Sequence, residues 1–122
     1  MAGKGRLSVS VSNVGDVKST HQYKVTVGFD IGFDWSGYNS IGAPYTIKCD
    51  GQSQSGTATF NIASGGGTFV YSRIATKSFI ITMPTSGKSK TISISATCNT
   101  GTTPATISAS ASKTLSAIVW QH

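Results

Sequence analysis

The chain has 122 residues, which is enough for one domain with a core of moderate size. Ser and Thr account for 35 residues, Glu is absent and Leu occurs twice, so helix formers are scarce while β-branched residues are plentiful. The net charge of +6 comes from bases scattered along the chain, which argues against a nucleic-acid interface, and no apolar run is long enough to span a membrane.

Apolar and polar residues alternate with a period of two along most of the chain, which is typical of half-buried strands. In chain order, the pattern predicts strands at 7–11, 23–35, 44–49, 57–62, 68–74, 77–83, 90–98 and 107–119. Gly28 and Gly32 interrupt the long second segment and predict a bend or bulge there. Asp50 and Gly51 predict a hairpin turn.

Short strands separated by turn signals about every ten residues are typical of a β-sandwich. One face of each predicted strand is apolar and the other is rich in Ser and Thr, as expected for two antiparallel sheets packed face to face. We therefore expect an all-β, immunoglobulin-like antiparallel sandwich of seven to nine strands. Residues 1–122 should form a single domain, because no linker or internal repeat is visible.

The titratable residues give little support for catalysis. Asp30 and Asp34 share the outward face of one predicted strand, where four residues of extended chain hold them about 13 Å apart, too far for a glycosidase pair. His21 is interpreted as a solvated side chain at the start of a strand. Two Cys and one internal His give no zinc-binding spacing. We expect neither an enzyme nor a cofactor or metal site.

Cys49 and Cys98 both fall on the inward face of their strands. They could pair across the sandwich or remain as buried thiols. The start of the chain, "MAGKGRLSVS", lacks the apolar centre of a secretory signal, and this favours free thiols. A buried thiol in apolar surroundings is unreactive, so neither alternative is catalytic.

The segment "VGFDIGFDWSGYNSIG" carries the strongest suggestion of a binding site. Phe29 and Phe33 fit the core, whereas Trp35 ends the predicted strand and Tyr38 follows in a loop of Gly, Ser and Asn. Such loops recur at recognition surfaces, because Tyr supplies contact area and small polar residues adapt their hydrogen bonds. Trp35, Tyr38 and Asn39 are therefore the candidate ligand-binding residues. The alternative is that Tyr38 folds back over the end of the sandwich.

Four segments between residues 23 and 116 resemble modules in the tail proteins of long-tailed bacteriophages. They are "FDWSGYNSIGAPYTIKCDGQSQSG", "TKSFIIT", "GKSKTISISATCNTG" and "ISASASKTL". Those modules carry a W-S-G-x-x-S segment before a hairpin, a G-x-K-T-x-x-I-S-A strand and a Ser- and Ala-rich last strand that ends in K-T-L. The two cysteines lie outside this pattern. The resemblance implies an immunoglobulin-like sandwich in a tail fibre, tail tip or baseplate, and it supplies no catalytic residues.

The first functional expectation is therefore a non-enzymatic virion module, structural or binding the host surface, that assembles in the host cytoplasm. Its expected partners are other virion tail proteins or copies of itself, and a glycan of the host surface where it takes part in attachment. The alternative is a carbohydrate-binding module of a bacterial surface protein or hydrolase. A nucleic-acid-associated basic domain is a third and weaker alternative. Insertion into a membrane is not expected.

Overall fold

A computed structural model describes residues 3–33, 38–62, 70–84, 87–99 and 106–118, and in these ranges the chain forms seven β-strands and one short helix. The strands are β1 (Gly3–Asn13), β2 (Gln22–Phe33), β3 (Tyr38–Cys49), β4 (Gln52–Ile62), β5 (Val70–Thr82), β6 (Lys90–Asn99) and β7 (Thr106–Leu115). The helix α1 (Val17–Thr20) has a single turn and connects β1 to β2. None of the described helices is long and apolar enough to cross a membrane.

The strands form two sheets in which neighbours pair antiparallel. The three-stranded sheet has the order β1-β2-β5, and the four-stranded sheet has the order β4-β3-β6-β7. Their inward faces share one apolar core, to which β2, β3, β5 and β6 all contribute fully buried side chains. The predicted all-β sandwich is confirmed, with seven strands in the described ranges. The immunoglobulin-like label stays a prediction.

The inward residues follow the predicted alternation closely. Val25, Val27, Phe29 and Ile31 of β2 have no exposed surface, and the side chain of Phe33 lies outside the described residues. Outside β2 the core is completed by Ile47, Cys49, Phe79, Ile81, Met83, Ile92, Ile94 and Cys98, each at most 2% exposed. Burying side chains of this size supplies about 1.5–3 kcal/mol each, so this core dominates the stability of the fold.

Two predicted strands, 68–74 and 77–83, proved to be one. Strand β5 pairs with β2 along its whole length, but the register shifts once: Ala75 faces Phe29 and Arg73 faces Asp30. Ile74 is thus the extra residue of a β-bulge. The bulge also reverses which residues of β5 face inward. After the bulge, Ala75, Lys77 and Phe79 lie on the inward side, as Phe29 does. Before it, Arg73 faces outward with Asp30, although it is two residues from Ala75. This change of parity explains why the sequence pattern predicts two strands here.

Cys49 and Cys98 are free and buried, as expected. They lie on adjacent strands of the same sheet, where Cys98 pairs with Tyr45 and Cys49 pairs with Ile94. Four residues of extended strand separate the two positions by about 13 Å along the sheet, well beyond the reach of a disulfide. Burial raises the pKa of both thiols, and the charge of Asp50 adds to the effect on the pKa of Cys49. The cross-sandwich disulfide is therefore excluded by the strand register.

Both open sides of the sandwich are closed by contacts between the sheets. On one side, Gln52 Nε2 donates to the carbonyl of Ile80 at 2.8 Å and Gln54 Nε2 donates to that of Ser78 at 2.6 Å, which occupies acceptors on the edge strand β5. On the other side, a Cβ at Gly5 would lie only 2.8 Å from the carbonyl oxygen of Ser108. Glycine therefore lets β1 approach β7 at this point.

Candidate functional site

The residues predicted to bind a ligand fall at the start of β3. Trp35 lies outside the described residues. The sequence predicted that Tyr38 and Asn39 lie in a loop. They lie instead in β3, where their backbones pair with Ile62 and Asn61 of β4. The loop assignment was wrong because "SGYNSIG" is rich in turn residues, while pairing with β4 decides the backbone conformation. Their side chains lie outside the described residues, so the binding role stays a prediction.

A cluster of charged side chains lies on the outward face of the three-stranded sheet. Asp30 of β2 is only 4% exposed and stands in register with Arg6 of β1 and Arg73 of β5. Arg6 donates its Nε–H to Asp30 Oδ2 at 2.8 Å, and Arg73 donates its Nε–H to Asp30 Oδ1. The arginine side chains are 58% and 47% exposed, so one buried carboxylate holds two half-exposed guanidinium groups.

The charge state of Asp30 follows from these partners. Burial by itself raises the pKa of the Asp30 carboxyl, but the hydrogen bonds and charges of Arg73 and Arg6 outweigh that effect, so the pKa lies below its ordinary value. The carboxylate is therefore ionised at neutral pH. Ionisation makes both contacts charge-assisted hydrogen bonds, which are stronger and more directional than neutral ones.

Two glycines of β2 give the cluster its shape. A Cβ at Gly28 would overlap the guanidinium of Arg73, and a Cβ at Gly32 would lie 2.8 Å from Cδ1 of Tyr71. The Arg73 guanidinium and the Tyr71 ring therefore occupy the space that side chains at Gly28 and Gly32 would fill. The guanidinium carbon of Arg6 stands 4.1 Å from the centre of the Tyr71 ring, a cation–π contact. We call Arg6, Asp30, Tyr71 and Arg73 the arginine cluster.

The arrangement presents positive charge in a fixed orientation. Both ion pairs use the Nε atoms, so the Nη groups of Arg6 and Arg73 take no part in them. Lys4 stands in the next row of the same face, in register with Gly32. The cluster itself carries two positive charges and one negative charge. Such a surface suits an anionic ligand, because guanidinium groups match carboxylate and phosphate oxygens in pairs.

The other described carboxylates take part in local contacts. Asp50 pairs with Lys90 at 2.7 Å. Asp16 accepts a hydrogen bond from the backbone N–H of Lys18 at 3.1 Å, which caps the start of α1. Among the residues that the structure describes, no three His, Cys, Asp or Glu side chains converge as metal ligands would.

His21 differs from its interpretation as a solvated residue, since it is only 3% exposed. It follows the last residue of α1 and has a φ of 54°, in the left-handed region that often ends a helix. Its carbonyl accepts a hydrogen bond from the Met83 N–H at 2.7 Å, which ties the start of β2 to the chain beyond β5. The interpretation failed because a single residue of left-handed backbone redirects the side chain, and the apolar alternation carries no sign of it.

The arginine cluster was not found from the sequence. Its ionic partners stand 24 and 43 residues away from Asp30, and only strand pairing brings them together. One signal was present: the outward positions of β2 around Asp30 are the glycines 28 and 32, so an acidic residue stands alone on a bare strip of backbone. Where glycines leave the face of a strand uncovered, large side chains of the neighbouring strands can pack against its backbone.

Comparison of the chain with protein-family profiles, curated proteins and solved structures finds no match.

Proposed function

We propose that the chain is a non-enzymatic structural module of a bacteriophage tail that also contributes to attachment to the host surface. The sequence segments that resemble phage tail modules lie largely in strands of the sandwich. "TKSFIIT" is the second half of β5, and "ISASASKTL" is most of β7. The resemblance thus falls on the framework of the fold rather than on isolated turns.

The observation that carries the proposal is the strand order. The first, second and fifth strands share one sheet, and the third, sixth and seventh share the other. In immunoglobulin domains, strands A, B and E and strands C, F and G are divided in the same way. The fourth strand here joins the third rather than the fifth, as strand C′ joins strands C, F and G in variable-type immunoglobulin domains. This order supports the immunoglobulin-like module that the resemblance implies.

The role of Asp30 supports a non-enzymatic function. It is the most buried of the described carboxylates, and a buried carboxylate is the usual candidate for acid–base chemistry. Its two oxygens are each bonded by a guanidinium, and its pKa is lowered rather than raised. A group held in this way is suited to positioning arginine side chains and poorly suited to exchanging protons near neutral pH.

Assignment to a tail can be tested with an antibody raised against the purified chain. Phage particles are produced from a strain whose genome encodes the chain, purified by density gradient and examined by immunogold electron microscopy. We expect gold on the tails and co-sedimentation of the chain with the particles. Recovery of the chain only in the soluble fraction, with unlabelled particles, would contradict the proposal. Binding of that soluble chain to wall glycans would then favour the carbohydrate-binding module.

Attachment through the start of β3 can be tested with Tyr38→Ala. Loss of a binding hot spot should weaken adhesion to host cells at least about fivefold, whereas truncation of an exposed Tyr with no ligand changes stability by a few tenths of a kcal/mol. Lys18→Ala, in α1 at the far end of β2, is the control. Unchanged adhesion by a folded Tyr38→Ala variant would reject this site.

A further inference from the structure

We propose that the arginine cluster binds a single oxyanion group, a carboxylate or a phosphate, of a ligand outside the chain. The binding groups are the guanidiniums of Arg6 and Arg73, and Asp30 and Tyr71 position them. This inference is independent of the assignment to a phage tail, because it concerns the chemistry of one face of the isolated domain.

The first argument is the direction of the hydrogen bonds. Each guanidinium is anchored to Asp30 through its Nε, at 2.8 Å for Arg6, and each side chain is about half exposed. The hydrogen bonds to Asp30 therefore use the Nε side of each planar guanidinium, and the Nη groups take no part in the ion pairs. Two Nη groups of one arginine, or one from each arginine, can bond two oxygens of the same anion.

The second argument is preorganisation. An exposed arginine normally loses conformational freedom when it binds, which weakens the complex. Here Arg6 is fixed twice, by Asp30 and by the face of Tyr71. Arg73 is fixed by Asp30 and by the bare backbone at Gly28, where a Cβ would displace it. Most of the ordering needed for anion binding has therefore already occurred in the folded chain.

The third argument is charge balance. One arginine would neutralise Asp30, yet two converge on it, so the cluster has an excess of one positive charge. The excess is also local: beyond Arg6 the outward residues of β1 are Ser8, Ser10 and Ser12, and Lys24 lies about 20 Å from Asp30 along β2. The site therefore fits one oxyanion rather than the continuous backbone of a polyanion.

The binding test uses the purified chain labelled with ¹⁵N and two pairs of probes. Sodium glucuronate is compared with glucose, and glycerol phosphate is compared with glycerol, at constant ionic strength. We expect saturable shifts in the amide resonances of residues 6, 30, 71 and 73 with one or both anions and none with the neutral partners. The stronger of the two anions identifies carboxylate or phosphate as the source. Shifts absent with both anions would overturn the proposal.

Variants separate a built site from general attraction to positive charge. Arg73→Gln should weaken binding about tenfold, because a charge-assisted pair of hydrogen bonds is lost, whereas Lys24→Gln removes the same charge and should change affinity less than about twofold. Asp30→Asn makes the chain more positive but removes the negative charge and one of the two acceptor oxygens that hold the arginines, so we expect weaker binding. Stronger binding by Asp30→Asn, or equal losses for Arg73→Gln and Lys24→Gln, would overturn the proposal. Amide spectra establish that each variant is folded. If Arg73→Gln unfolds, Arg73→Lys replaces it. We expect the same weakening, because Lys lacks the planar guanidinium that bonds two oxygens.

Discussion

Hydroxyl pairs link neighbouring strands on the outward faces of both sheets, but the charged cluster around Asp30 belongs to the three-stranded sheet. On the four-stranded sheet, hydroxyl groups meet across neighbouring strands: Thr46 and Ser55 are 2.9 Å apart at their oxygens, and Thr91 and Thr114 are 3.0 Å apart. On the three-stranded sheet around Asp30, charged and aromatic groups from three strands converge on one buried carboxylate. Each hydroxyl pair is exposed and involves two residues only, whereas the two ion pairs share the carboxylate of Asp30.

The difference shows that alternation fixes what a strand buries but not how its outer face is held. A hydroxyl pair can lose one member at little cost, because water replaces the missing partner. Asp30 is only 4% exposed, so water replaces its lost partners less completely. Removal of its partners leaves a charge beneath the surface, so the two faces should respond very differently to equivalent mutations.

The largest expected effect is that of the double variant Arg6→Ala/Arg73→Ala. It leaves the Asp30 carboxylate buried without a positive partner. We expect the free energy of unfolding to fall by about 2 kcal/mol, less than for a fully buried ion pair because the arginines are half exposed and water can reach the site once they are removed. Chemical denaturation at neutral pH measures the change.

Its control is Thr46→Ala/Ser55→Ala on the four-stranded sheet, which also truncates two facing side chains. We expect the control to cost about 0.5 kcal/mol or less. Equal losses in the two double variants would show that the two faces are equivalent and that Asp30 gains nothing from its partners.

The second prediction concerns acid. Because the pKa of Asp30 is lowered in the folded chain, its contribution to stability is complete above the unfolded value of about 3.9 and is lost as the pH falls through the folded value. The free energy of unfolding should therefore fall more steeply with decreasing pH in the wild type than in Asp30→Asn. Denaturation series between about pH 5 and pH 2 give the two slopes. Parallel curves would mean that the folded and unfolded chains bind this proton equally.

The third prediction concerns Gly28→Ala, whose expected effect on the free energy of unfolding is smaller and changes sign when Arg73 is absent. In Gly28→Ala, the new Cβ displaces the Arg73 guanidinium from Asp30, while Ala is favoured over Gly in a strand by about 0.5–1 kcal/mol. We expect a net destabilisation below about 1 kcal/mol. In an Arg73→Ala background nothing remains to be displaced, so the same substitution should be neutral or stabilising. A destabilisation of the same size in both backgrounds would contradict the close contact.

The smallest expected effect is the coupling between Thr91 and Thr114. A double-mutant cycle with Ala at both positions should give about 0.2–0.5 kcal/mol, the size of an exposed cross-strand pair. The corresponding cycle of Arg6 and Arg73 should give a larger coupling, because both bind the same carboxylate. If the hydroxyl pair coupled as strongly as the arginines, the contrast between the faces would disappear.

The sequence predicted the parts of the fold that depend on local pattern. A strand presents every second residue to the same face. Alternation alone therefore placed these residues in the core: Val25, Val27, Phe29, Ile31, Ile92 and Ile94. The bulge predicted from Gly28 and Gly32 is present as a register shift between Phe29 and Asp30, but its extra residue is Ile74 of the partner strand β5. The extension of β3 back to Tyr38 was missed, since it depends on pairing with β4. The alternation of β5 changes parity at Ile74, and from the sequence alone this divides β5 into two predicted strands.

The site was harder to predict than the fold for a related reason. Trp35, Tyr38 and Asn39 were chosen because they are neighbours in the sequence and have the composition of a recognition loop. The arginine cluster is assembled from three strands, and nothing in the sequence near Arg6 or Arg73 indicates a shared partner. Residues brought together by the sheet can be found only once the register is known.

The bulge in β5 has a consequence for how this domain can change in evolution. Ala75 and Arg73 face adjacent residues of β2, so a deletion of Ile74 would leave a regular ladder in which Arg73 still meets Asp30. A deletion elsewhere in β5 would turn one half of the strand over. Related chains that differ in length by one residue within β5 should therefore carry the gap at position 74, where an insertion or deletion leaves every neighbouring side chain on its own face.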